Sequence, residues 1–176
     1  MNSNLRKHYG HFNDAKKEKN EKYCNPIIKC SCPRSVIIPE DTEANTIFAI
    51  TSIEVDTYGL CNPRAKLNFT SNIVFRNFFG NLSIRVFKQC RNQLTRVPVG
   101  SEWTIILGRE VAGITGARVI SFFVCDQDLC EEDCCFYTVE VRVNSIIPVA
   151  TIAFNNSSLD ATIYCDNSCY INYERV

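Results

Sequence analysis

A chain of 176 residues with 45% hydrophobic content is long enough for one domain with a sizeable core and too short for two large ones. Its 19 basic and 19 acidic side chains cancel, and the basic residues of the N-terminal stretch are diluted by acids and followed by no basic run, so no nucleic-acid partner is expected. Nowhere do about eighteen apolar residues run together, and the first residues lack the apolar core of a secretory signal, so synthesis in the cytosol and no membrane partner are expected.

Residues 1–23 carry six Lys/Arg against three Asp/Glu, which makes this tail near +3 and the remainder near −3. Its composition reads as a flexible extension. Both histidines, His8 and His11, lie in it, read as solvated tail residues. The body then has no imidazole to activate a Ser or Cys. Glycines Gly108, Gly113 and Gly116 form neither a dinucleotide fingerprint nor a phosphate loop. The chain is expected to be no enzyme and to need no cofactor.

From Tyr23 to Pro33 the stretch YCNPIIKCSCP holds Cys24, Cys30 and Cys32 between two prolines and reads as an extended connector. Residues 1–33 are thus an arm and 34–176 a body. In the body, short runs rich in Val, Ile, Phe and Thr alternate with Asn, Gly, Pro and Asp clusters. Strands are predicted at 35–39, 46–56, 66–76, 81–89, 102–107, 118–125, 136–143, 149–155 and 159–164. Leu82, Ile84 and Val86 alternate with Ser83 and Arg85, and Tyr137, Val139, Val141 and Val143 with Thr138, Glu140 and Arg142. This predicts sheets with one buried and one wet face. No run of ten or more residues has helical periodicity, so the fold class is all-β, an antiparallel jelly-roll-like or immunoglobulin-like sandwich of about eight strands. Trp103 and the Phe122–Phe123 pair are expected in its core.

Eleven cysteines are too many for an ordinary cytosolic fold, and their odd number leaves at least one without a partner in its own chain. The densest stretch, CDQDLCEEDCC at 125–135, places Cys125, Cys130, Cys134 and Cys135 among five carboxylates. The carboxylates lack the spacing and central Gly of a calcium loop and read as a solvated hairpin tip. No spacing is CxxC, which argues against both a zinc knuckle and a redox dithiol. A metal-binding module at 125–135 remains the alternative, although no metal is expected. Disulfides are the preferred reading. Cys61 or Cys90 with the 125–135 hairpin, or Cys165 with Cys169, could fasten strand ends. The vicinal Cys134 and Cys135 point to opposite faces and can bond in two directions, and Cys24, Cys30 and Cys32 sit where an arm could reach another subunit, so these five are the candidates for bonds between subunits. Four N-x-S/T sequons, at Asn68, Asn81, Asn155 and Asn156, read as chance matches in a chain without a secretory signal.

The runs KCSCP, CNPRAKLNFTSNIVF, FKQCRNQLTRVPVGSEWTI and FFVCDQDLCEEDCCFYTVEV resemble an uncharacterised cysteine-rich domain family of clostridial spore formers, over about residues 29–165. In architecture the chain is similar to endospore appendage pilins, whose jelly-roll subunits stack through sheet augmentation and whose connector cysteines bond earlier subunits. The resemblance implies a homopolymer at the spore surface, cross-linked through Cys24, Cys30 and Cys32, with other spore-surface proteins as further partners. A spore origin would also explain the cysteines, which stay reduced in the mother cell and meet oxidant when it lyses. A non-filamentous spore-coat or exosporium protein is the other open reading.

Overall fold

The computed structural model describes residues 25–58, 60, 62–91, 93–107, 115–129, 134–145 and 150–165. They form nine strands: β1 (Ile27–Cys30), β2 (Arg34–Ile38), β3 (Ile47–Asp56), β4 (Pro63–Arg76), β5 (Gly80–Cys90), β6 (Val97–Leu107), β7 (Thr115–Asp126), β8 (Cys134–Val143) and β9 (Thr151–Cys165). Two antiparallel sheets result. In one, β9 lies between β4 and an edge shared by β1 and β2, with β7 beyond β4; in the other the order is β3-β8-β5-β6. Successive strands from β2 onward cross between sheets, except the β5–β6 hairpin. This is the strand order of a jelly roll.

Alternation builds the core. Leu82, Ile84 and Val86 of β5 and Tyr137, Val139, Val141 and Val143 of β8 are fully buried, facing Leu67, Phe69 and Ile73 of β4 and Ile152, Phe154 and Ile163 of β9 across the sandwich. Trp103 stacks on Phe122 at 4.1 Å, and Phe122 leans on Phe69 at 5.2 Å. Phe123, expected in the core, is instead 59% exposed. It follows Phe122 in β7, so it points to the opposite face.

Three departures from expectation have local causes. Residues 27–30, placed in the arm, pair with Asp160 to Ile163 of β9. Beyond them, Ser31 donates its amide to the Leu159 carbonyl, and its Oγ accepts the Leu159 amide at 2.8 Å. The connector is thus part of the sheet from Ile27 on. The two runs predicted at 149–155 and 159–164 are, from Thr151 on, one strand, β9, interrupted by a bulge where the register to β4 shifts between Thr70 and Asn72. Asn156, at φ 51°, takes the left-handed turn of that bulge. β6 begins at Val97, earlier than predicted, because Pro98 is tolerated on an edge strand and Gly100, at φ 70°, sits in the bulge where register to β5 shifts.

The outer face of the second sheet is not uniformly wet. Glu140 is 5% exposed and ion-paired with Arg96, while Arg96 and Arg85 lie over the Phe87 ring at 4.9 and 5.9 Å. Arginine stems and an aromatic ring shield the carboxylate.

Candidate functional site

The cysteines divide by the face their strand parity assigns them. Cys90 continues the inward series of β5, and Cys135 the inward series of β8. They are directly opposed in the ladder and joined by a disulfide, with Cα atoms 3.9 Å apart. The next pair along exchanges a backbone bond, from the Arg91 amide to the Cys134 carbonyl. Cys90 and Cys135 therefore occupy a non-hydrogen-bonded pair, where antiparallel strands approach most closely. Cys135, a sequence candidate for a bond between subunits, is thus bonded inward within its own chain, because its parity in β8 puts it on the core face. Cys165, at the end of β9, is also disulfide-bonded. Cys24, Cys61, Cys130 and Cys169, together with His8 and His11, lie outside the described residues.

Among the described residues Cys30, Cys32 and Cys125 are free thiols, all exposed, and Cys134 is a half-buried thiol held by a neighbour. Cys30 and Cys32 flank the break between β1 and β2. The chain there lines a cleft of about 350 Å³, with residues 29–32 and Arg34 on one side and Ser52 and Glu54 of β3 on the other. The charge of Asp160, opposed to Cys30 in the ladder, raises the Cys30 pKa, as burial and a hydrogen bond to the same carboxylate also do. Cys134 donates to Glu54 Oε1 at 2.7 Å. Burial first, then that hydrogen bond and the neighbouring charge, push its pKa up to about 11.

These positions bear on the metal alternative. Cys125 faces outward from the first sheet and Cys134 outward from the second, while Cys135 is inside and bonded. Vicinal parity and the sandwich geometry separate them, and among the described residues no group of three or more His, Cys, Asp or Glu could hold a metal ion.

The carboxylate run is not a hairpin tip, since the flanking β7 and β8 lie in different sheets, and its first member is not solvated. Asp126 is 6% exposed; its Oδ2 accepts Lys88 Nζ at 2.8 Å and the Tyr137 hydroxyl at 2.7 Å, and its Oδ1 accepts the Asp128 amide at 3.1 Å. Lys88 also donates to the Asp128 carbonyl at 2.8 Å. The trio joins β7 of one sheet to β5 and β8 of the other. Sequence reasoning passed over it, yet parity carried the signal: Lys88 is in phase with Val86 and Cys90, and Asp126 with Val124.

No curated protein matches the chain. Solved structures similar to the chain include those of infectious bursal disease virus. The Gx strain structure is 10% identical with a TM-score of 0.41, covering 84% of this chain and 34% of that one. The Gt strain structure is 9% identical with a TM-score of 0.25, covering 81% and 42%. The VP2 subviral particle is 9% identical, also with a TM-score of 0.25, covering 88% and 46%. The chain thus spans between a third and a half of the length of these proteins. Its own relatives are defined by sequence: residues 24–163 match the family described as "Domain of unknown function (DUF4489)", and the chain belongs to that family.

Proposed function

We propose that this chain is a structural subunit that assembles with copies of itself into a disulfide-cross-linked, appendage-like fibre on the spore surface. The observation that carries the reading is the sorting of the described cysteines. Cys90 and Cys135 are bonded inside one subunit, whereas Cys30, Cys32 and Cys125 stand free and exposed on its surface. Inward bonds stabilise the subunit, and outward thiols are left to join subunits. Cys30 and Cys32 lie on an edge of the first sheet, and sheet edges are where strands of another chain add. Edge contacts that are not related by a two-fold axis leave a free edge after each addition and propagate as filaments. Cys24, one position before the described residues, lies on the same arm.

Negative-stain microscopy of the purified chain before and after oxidation, beside a Cys24/Cys30/Cys32→Ser variant, tests the reading. Regular filaments from the parent chain that resist heat and detergent, and weaken under strong reductant or fail in the variant, are expected. Dispersed particles in every condition would rule it out.

A further inference from the structure

The two edges of the larger sheet are matched. One edge is β1 followed by β2 and the other is β7, and each has a hydrogen-bonded partner on one side only. Directly opposed residues share a face, so the registers trace rows across the sheet. Cys30, Asp160, Asn68 and Phe123 form one row; Ile28, Thr162, Lys66 and Cys125 form another. The intervening row contains Ala161, Leu67 and Val124, which are buried in the core. The two flanking rows therefore lie on the outer face. Cys30 and Cys125 are free thiols on that same face, at opposite edges, offset by two residues.

Strand sense allows the edges to meet. β1 is antiparallel to β9, β9 to β4, and β4 to β7, so β7 runs opposite to β1. A second copy placed alongside continues the alternation, with its β1 antiparallel to the first copy's β7, and a slip of two residues sets Cys30 against Cys125. The molecule already bonds cysteines in this relation, since Cys90 and Cys135 are opposed residues on neighbouring antiparallel strands. The β7 edge is also poorly defended. Its twelve residues, TGARVISFFVCD, include no Pro and no Lys, the residues that commonly block strand addition. Val119 and Phe123 on its outer face are 76% and 59% exposed.

We propose that β7 of one copy pairs with β1 of the next, and that Cys30 of one subunit and Cys125 of its neighbour form the bond that locks this contact. The inference rests on the structural-subunit reading and deepens it by naming the interface. In the bond-forming step, two thiols and one low-molecular-weight disulfide yield the inter-subunit disulfide and two small thiols. The two protons and two electrons leave with the reagent. The contact is head-to-tail, so each subunit offers one thiol forward and one back, and the larger sheet continues from copy to copy.

Full chains carrying Cys32→Ser, half of them labelled with nitrogen-15, are oxidised with a low-molecular-weight disulfide. They are then digested with trypsin and an Asp-specific protease. The expected product is residues 30–34 joined to residues 119–125 with mixed labels, abolished by Cys125→Ser or Cys30→Ser. Covalent polymers joined at other cysteines would overturn this pairing and leave the subunit reading standing. No covalent species above the monomer would overturn both.

Discussion

The Lys88–Asp126–Tyr137 trio carries the largest single-residue consequence. Removing one member of a buried ion pair leaves the other charge without a partner, which costs about 3–5 kcal/mol. Asp126→Ala should therefore lower the unfolding free energy from denaturant titration by that much, whereas Tyr137→Phe, losing one hydrogen bond, should cost about 1–3 kcal/mol. Replacing the pair with Lys88→Met and Asp126→Leu together should recover most of the loss of the first variant, because it is the stranded charge that destabilises. A double variant as unstable as Asp126→Ala would show that the ion pair itself holds the sheets. The Cys134–Glu54 contact makes a pH-dependent expectation. With its pKa near 11, Cys134 holds its proton across the neutral range, and alkylation by iodoacetamide should be slow at pH 8 and rise toward pH 11. Glu54→Gln removes the carboxylate charge and should shift that rise to lower pH. The sign for stability follows: the folded chain holds this proton more tightly than the unfolded one. The contribution is therefore complete below the ordinary thiol pKa and is lost as pH climbs through about 11.

At the level of strands, the Cys90–Cys135 bond closes a segment of 45 residues running from β5 to β8. Cross-links of this kind contribute about 2–5 kcal/mol, so Cys90→Ala with Cys135→Ala should lower stability by that amount in calorimetry while leaving the β spectrum in place. Gly100 sets a second test. Its φ of 70° disfavours any side chain, and a Cβ there would press on Val124 at 2.9 Å; Gly100→Ala should cost more than about 1 kcal/mol. These features also show what was legible in the sequence. The strict two-residue period of β5 and β8 made their inward faces readable. β1 was hidden because its four residues lie between prolines and its partner, 160–163, is some 130 positions away; no local pattern reports such a pairing. β9 was split at Asn155–Asn156 because two asparagines read as a turn, while the structure uses them in a bulge that keeps both halves on one ladder. Spacing gave eleven cysteines with no pairing, since pairing depends on register between β5 and β8, which only the assembled sheet defines.

For the whole molecule, the jelly roll places stabilising and available sulfur in separate compartments. That separation has a kinetic side. Folding alone sets Cys90 and Cys135 opposite each other with Cα atoms 3.9 Å apart, so their closure is a unimolecular event at an effective concentration on the order of millimolar or more. In the proposed assembly, a neighbouring subunit's thiol arrives only by diffusion and competes poorly until subunits dock. As oxidant rises, the internal bond should close first, and the outward thiols Cys30, Cys32 and Cys125 should react later, as assembly brings them together. The ladder between β5 and β8 would thus work as a sorting device in time: it removes two thiols from the exchanging pool before the proposed polymerisation begins, and so limits scrambled links.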